Sequence, residues 1–430
     1  MDFKRTLSAL VALSTVAGMG GAHADNEYPM DNAPDTKDIN FLRNWFKTKR
    51  AVSVDEKGGD LSISGDVRFE YNGRTGRYNG DNALYGKDSG NARHEFKNRV
   101  DLFFDYRTCH TWAHIKLKFD NKMGVINGST NKLVLEKGIL GYRVFDNGKS
   151  AIVDLELGRT KLYNFFDSKV QFGALLDGAS VRVANSFDRA FDFDLRAVYG
   201  VVSQKDNQYF AVAEADFMDI AETGIYAKYA YSHWRKHGYS KRWESNIGEW
   251  NPLGTLKDNP QFKFQISQFL LGYQMDPEVL RFPLKIYGAF LINHAAQEVA
   301  TTYAQIADKE RTAWYAGLTA GQVVKRGDWS AEVVYQSVGA QSVPDFDMAG
   351  IGNANPEASL LYANKAPGSF ESPFGNTNFK GWTADVMFAV TNNVSLLLEY
   401  DWSKHKKGQL GTVPLTFDYH RFGASVIYAF

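Results

Sequence analysis

The residues of this chain that could do chemistry are fixed charges set two positions apart. Arg68 and Glu70, Lys116 and Lys118, Asp154 and Glu156, and Asp194 and Arg196 all follow this spacing. On an extended strand, positions i and i+2 point to the same face. Arg99, Arg159, Arg182 and Glu399 lie in segments of the same kind. Fixed charge lining a water-filled bore sets ion preference, so all these positions are expected to line a pore. Arg68, Arg99, Arg143, Arg159, Arg182 and Arg196 would make a basic column, with Asp154 and Glu156 inside it. The alternative for any one of them is an ordinary cross-strand ion pair, which is worth little where water reaches it.

Catalytic chemistry has no comparable footing. The nine His include none inside a Gly-flanked nucleophile motif. His420 is near Ser403 and Asp418 in sequence only, and no activated nucleophile can be named. His233 and His237 have metal-binding spacing, but Trp234, Arg235 and Lys236 lie between them, which reads as a solvated basic loop. The expectation is no catalytic residue, no metal and no cofactor.

Strands must position the charges. Val67, Phe69 and Tyr71 alternate with Asp66, Arg68 and Glu70; Ala113, Ile115, Leu117 and Phe119 alternate with His114, Lys116 and Lys118. Phe191 to Tyr199 and Ser395 to Trp402 repeat the pattern. The apolar face recurs along the chain, its complement is charged, and the strands end in aromatics. A soluble sandwich would need a second sheet over that apolar face, whereas aromatic ends belong at a lipid boundary. About 16 strands (16–18) can be counted, and short connections alternate with long ones, as in an up-and-down membrane barrel. The fold class is therefore all-β: a transmembrane antiparallel up-and-down β-barrel, with a short N-terminal helical segment. A barrel of 16–18 strands encloses an aqueous bore.

Composition agrees. In 430 residues, 14% are aromatic, Gly numbers 38, Pro 11 and Cys one, and Lys+Arg and Asp+Glu are both 49. The chain is too aromatic and too neutral for disorder, and one Cys makes no internal bridge. Balanced charge gives no footprint for nucleic acid. Residues 1–24 read as a signal peptide: Lys4 and Arg5, an apolar run from Leu7 to Met19, then Ala22-His23-Ala24. Residues 25–60 read as a periplasmic segment with Ile39, Leu42, Trp45 and Phe46 at helical spacing. It is either a loosely held tail or a helix docked in the barrel mouth as a partial plug. Residues 61–430 are assigned to the barrel.

The chain ends VIYAF, with Phe422, Ala424, Val426, Tyr428 and Phe430 on one face. That ending, with Tyr428 and Phe430 as an insertion signal, resembles the bacterial outer-membrane porins. The stretch from Leu155 to Val183, LELGRTKLYNFFDSKVQFGALLDGASVRV, also resembles the porin pattern around strands five and six. The resemblance implies a Gram-negative outer membrane, assembly by the barrel-assembly machinery, a homotrimer, and passive diffusion of ions and small hydrophilic solutes. It also implies that loop 164–177 folds inward as a constriction, carrying Phe165, Phe166, Asp167 and Lys169. Porin constriction loops present acids to wall arginines, and this loop, with one acid, one lysine and Phe172, does not reproduce that separation. Two alternatives stay open: a substrate-specific or export channel, and a surface structural or adhesin barrel with a closed lumen.

Overall fold

The computed structural model describes residues 52–56, 59–78, 93–124, 132–148, 150–187, 189–203, 208–234, 264–275, 280–296, 299–300, 305–306, 310–344, 347–355, 377–406, 409–410, 413–414 and 417–430. The proposed signal peptide, the helical spacing at Ile39 to Phe46, and His237 lie outside these residues.

Sixteen antiparallel strands close into a barrel. They are β1 Gly59–Tyr78, β2 His94–Arg107, β3 Thr111–Lys122, β4 Lys132–Asp146, β5 Ala151–Lys161, β6 Leu175–Ser186, β7 Asp192–Ser203, β8 Gln208–Ile220, β9 Ile225–Trp234, β10 Phe264–Met275, β11 Leu284–Asn293, β12 Thr312–Gly321, β13 Trp329–Val338, β14 Phe379–Ala389, β15 Val394–His405 and β16 Phe417–Ala429. Each pairs with its sequence neighbours, and β16 returns to β1, with Asp66 opposite Ala429 and Tyr78 opposite Phe417. The last residue completes the closure: Phe430 and Gly65 exchange two backbone hydrogen bonds of 2.9 and 3.0 Å. A short strand, Val52–Glu56, folds back on the start of β1. Strand structure thus begins inside the segment read from sequence as a tail.

Period-two alternation fixes which side chains face out. Phe69, Phe96, Leu140, Leu157, Tyr199, Phe269, Phe290, Leu398 and Tyr428 are all exposed on the outer wall. An apolar surface of this extent is what a bilayer covers. Arg68, Asp101, Lys116, Asp154, Glu214, Lys228 and Asp401 are buried on the inner wall. Short polar side chains build the tight turns at one end. Thr108 Oγ1 accepts from the Thr111 amide at 3.0 Å between β2 and β3. Asn147 Oδ1 accepts from the Ser150 and Ala151 amides, each at 2.9 Å, between β4 and β5. Asp328 Oδ2 accepts from the Lys325 amide at 2.8 Å between β12 and β13. These are the side-chain-to-backbone bonds that favour turns over continued strand.

The apolar core lies inside the barrel. The inner faces of β9 to β13 contribute Tyr226, Ala230, Trp234, Ile266, Leu270, Tyr287, Leu291, Tyr315, Val334 and Val338. Against them pack Leu162, Phe165, Phe166, Val170 and Phe172 of the β5–β6 loop, with Val343, Met348 and Ile351 of the β13–β14 connection. The inner wall therefore has two characters: charged along β1 to β8 and β14 to β16, and largely apolar along β9 to β13.

Candidate functional site

On the charged side, ion pairs gather into groups. Asp101 Oδ2 lies 2.8 Å from Arg99, 3.2 Å from Lys116 and 3.8 Å from Arg68. Asp66 is 2.5 Å from Arg68. Arg68 and Arg99 are direct cross-strand neighbours, and the shared carboxylate offsets their repulsion. The same device recurs where Arg182 faces Arg196: Asp194 lies 2.7 Å from the first and 2.8 Å from the second. On β15 and β16, Arg421 lies 2.6 Å from Asp401 and 3.7 Å from Glu399.

Two carboxylates are each met by three cations. Glu95 lies 2.8 Å from Arg74, 3.5 Å from Lys97 and 3.2 Å from Lys122. Glu136 lies 3.8 Å from Lys118 and 3.6 Å from Lys161, and Lys116 also pairs with it. At the short-turn end, Arg143 grips Asp154 with Nε at 2.8 Å and Nη2 at 3.2 Å, while Glu156 accepts from Trp112 Nε1 at 2.8 Å. Glu70 is half-buried on the inner face, directly opposite Lys97.

One of the residues placed in the bore by sequence faces outward. Arg159 is 45% exposed and forms a two-pronged pair with Asp177 at 2.7 and 2.8 Å. It is three residues from Glu156, an odd step, so the strand pleat turns it to the other side. Its neighbours Leu155 and Leu157 are exposed apolar residues of the outer wall. The arginine column thus loses this member.

The β5–β6 loop crosses the lumen from its own strands to the far wall. Its start is a single 3-10 turn, Leu162–Asn164. Arg196 Nη1 donates to the Phe165 carbonyl at 2.8 Å, and Gln268 Nε2 donates to the Asp167 carbonyl at 2.7 Å. Lys228 Nζ meets the Asp167 carboxylate at 3.1 Å. At the far side, Lys169 Nζ lies 2.6 Å from Glu332, and Gln336 Nε2 donates to the Lys169 carbonyl at 3.0 Å. Phe165 and Phe166 are buried in the apolar core, so the loop sits by its aromatics and ties itself down by its polar ends. Phe172 is held at φ 78, a backbone state bulky side chains avoid, and its ring packs 5.0 Å from Phe166.

A second inserted segment was not foreseen. Residues 340–344 and 347–355, from the β13–β14 connection, run along the β5–β6 loop. The Gly173 amide donates to the Asp347 carbonyl at 3.0 Å, and the Ala349 amide donates to the Val170 carbonyl at 2.9 Å. The Ala174 amide donates to Asp347 Oδ1 at 3.1 Å. A methyl group at Gly173 would sit 2.9 Å from the Met348 carbonyl carbon and nearer still to its oxygen, so only Gly permits the approach. Asp347 is fully buried, no cation among the described residues pairs with it, and burial pushes its carboxyl up to about 8 against the pull of the Ala174 and Phe172 amides. Asparagine-free, irregular sequence around Val343 to Ile351 gave no periodic signal. The inner apolar face of β9 to β13 did leave one: Phe269-Leu270-Leu271 and Phe290-Leu291-Ile292 are apolar on both faces.

Tyr428 and Phe430 project outward at the end of β16, beside the closure with β1. Cys109 is exposed in the β2–β3 turn. Among the described residues there is no group of three or more His, Cys, Asp or Glu arranged to hold a metal ion. His114 pairs with Asp105 on the inner wall, and His420 lies 3.6 Å from Asp418, while Ser403 donates instead to Asn355 at 2.5 Å. Ser403, His420 and Asp418 therefore do not form a relay.

No protein-family description matches the chain, and no curated protein matches it in sequence. Among solved structures it is similar to outer-membrane porins. OprB of Pseudomonas putida is 12% identical, with 86% of this chain and 94% of that one covered and a TM-score of 0.49. The outer membrane channel DcaP of Acinetobacter baumannii is 12% identical over 88% of this chain and 100% of that one, with a TM-score of 0.45. OmpF of Salmonella typhi, in complex with daunomycin, is 11% identical over 88% and 100%, with a TM-score of 0.47.

Proposed function

We propose that this chain is an outer-membrane porin, a channel for passive diffusion of ions and small hydrophilic solutes. The observation that carries the reading is the division of one closed sheet into an apolar outer wall and a charged inner wall along β1 to β8 and β14 to β16. A barrel that served only as an anchor has no use for so many charges turned inward, because each costs desolvation unless paired or wet. On this reading residues 1–24 direct export, Tyr428 and Phe430 guide assembly by the barrel-assembly machinery, and the barrel sits in the bacterial outer membrane, as a homotrimer. The β5–β6 loop, with Phe165, Phe166, Asp167 and Lys169, is the constriction. Solutes pass between it and the charged wall, with Arg68, Glu70, Arg99, Lys116, Lys118, Asp154, Glu156, Arg182, Asp194, Arg196 and Glu399 along the route.

A second reading has its own support. Two inserted segments and the apolar inner face of β9 to β13 fill part of the lumen, which favours a narrowed bore that admits few solutes or none. Reconstitution of the folded chain in a planar bilayer separates the two. Discrete conductance steps are the outcome the porin reading requires. A silent bilayer from folded protein, unchanged when residues 25–60 are deleted, would overturn it in favour of a closed barrel.

A further inference from the structure

Formal charge is balanced over the chain, but the inner wall of β1 to β5 is not balanced locally. Glu95 is one carboxylate among three cations, and so is Glu136. Lys116 is shared with Asp101, so Asp66, Asp101 and Glu136 together face five cations, Arg68, Arg99, Lys116, Lys118 and Lys161, and positive charge remains in surplus. The acids also lie behind their partners. Glu95 is 8% exposed, while Arg74 is 26% and Lys97 23% exposed. Glu136 is 10% exposed and Lys161 22%. Both groups lie toward the long-loop end of the wall, Glu95 at the start of β2 and Glu136 near the start of β4.

We infer that this wall makes the channel prefer small anions, with Arg74, Lys97, Lys118 and Lys161 as the groups that meet them. The inference rests on the porin reading and names its solute class. An ion in the bore meets ammonium and guanidinium heads first and the carboxylates only through them, so the near field is positive. Acids elsewhere do not reverse this. Glu332 is held by Lys169, and Asp401 and Glu399 by Arg421. Asp385 faces the lumen but is 9% exposed. Asp167, at 17%, stands forward on the constriction loop and is paired with Lys228, while Glu70 lies opposite Lys97 and Asp120 opposite Arg99. Asp66 and Asp101 are taken up by Arg68, Arg99 and Lys116.

The test is the reversal potential of the reconstituted full chain under a potassium chloride gradient. The native barrel is expected to pass chloride in preference to potassium. The triple variant Lys97→Gln, Lys118→Gln, Lys161→Gln is chosen because Glu95 keeps Arg74 and Lys122, and Glu136 keeps Lys116, so no carboxylate is orphaned. It should lower the chloride-to-potassium permeability ratio at least about twofold, the effect of one unit charge about 8 Å away in water. The double variant Arg159→Gln, Asp177→Asn neutralises a pair on the outer wall and should leave the ratio unchanged. A native channel without chloride preference overturns the inference while keeping the porin reading, and so does an unaltered ratio in the triple variant. Absence of any conductance sinks the porin reading, and the anion preference with it.

Discussion

Gly173→Ala tests the seam between the two inserted segments. The added methyl would stand 2.9 Å from the Met348 carbonyl carbon, and ordinary contact needs about 3.5 Å, so the segments must part by at least about 0.6 Å. The three hydrogen bonds across the seam are 2.9, 3.0 and 3.1 Å long. Stretched by that amount they reach about 3.6 Å, where a hydrogen bond no longer holds. At about 1 kcal/mol net for each, the loss is about 3 kcal/mol, or a shift in the opening equilibrium of about a hundredfold. The barrel ladder does not depend on these bonds, so the loss is local. Hydrogen exchange of residues 168–176 reads it directly: the Gly173 and Ala174 amides should exchange about a hundredfold faster than in the native protein. Gly288→Ala is the control, since a methyl there meets only the Tyr315 carbonyl at 3.4 Å. Native-like protection of Gly173 and Ala174 in the Gly173→Ala protein would refute the account of the seam.

Three further outcomes follow from the same geometry. Asp347 lies outside the strands, and burial raises its carboxyl to about 8 from an unfolded value of about 3.9, so the closed seam binds more protons than the opened one. Its stability is full below about pH 4 and declines as pH rises to about 8; exchange at the seam should quicken over that window, and Asp347→Asn should flatten the dependence. Arg421→Gln removes the cation shared by Asp401 and Glu399 and should lower barrel stability by about 3 kcal/mol in detergent unfolding; a melting curve matching the native protein would contradict that. Phe430→Ala should reduce the yield of heat-modifiable, folded barrel in membranes, read as the ratio of folded to unfolded bands on unheated gels, while purified folded protein keeps its native ladder.

Strand parity was legible in the sequence because it is local. About sixteen strands are expected and sixteen close the barrel, since alternation over about ten residues specifies both strand and face. The same arithmetic puts Arg159, an odd step from Glu156, on the outer wall. What could not be read was grouping. That Glu95 gathers Arg74, Lys97 and Lys122 depends on the registers of β1, β2 and β3 against one another, which charges alone do not fix. The seam at Gly173 and Asp347 joins positions more than a hundred residues apart through backbone groups, and backbone contacts leave no mark in side-chain chemistry beyond the glycine itself.

The closure between β16 and β1 has a consequence for the order of construction. Every other junction in the barrel joins consecutive strands, so it forms between near neighbours. This one joins residues 66–78 to 417–429. Closing a loop of about 350 residues costs about 3 kcal/mol more than closing one of about ten, by the logarithmic growth of loop entropy. Until the final strand is made, both margins of the sheet present unpaired backbone groups that would template aggregation. A meander of hairpins can thus knit early and quickly, yet it stays an open ribbon until its last strand is paired with its first. Pairing of β16 with β1 is the step that turns the ribbon into a tube, and a chain truncated at its C-terminus loses its closing strand rather than a dispensable end.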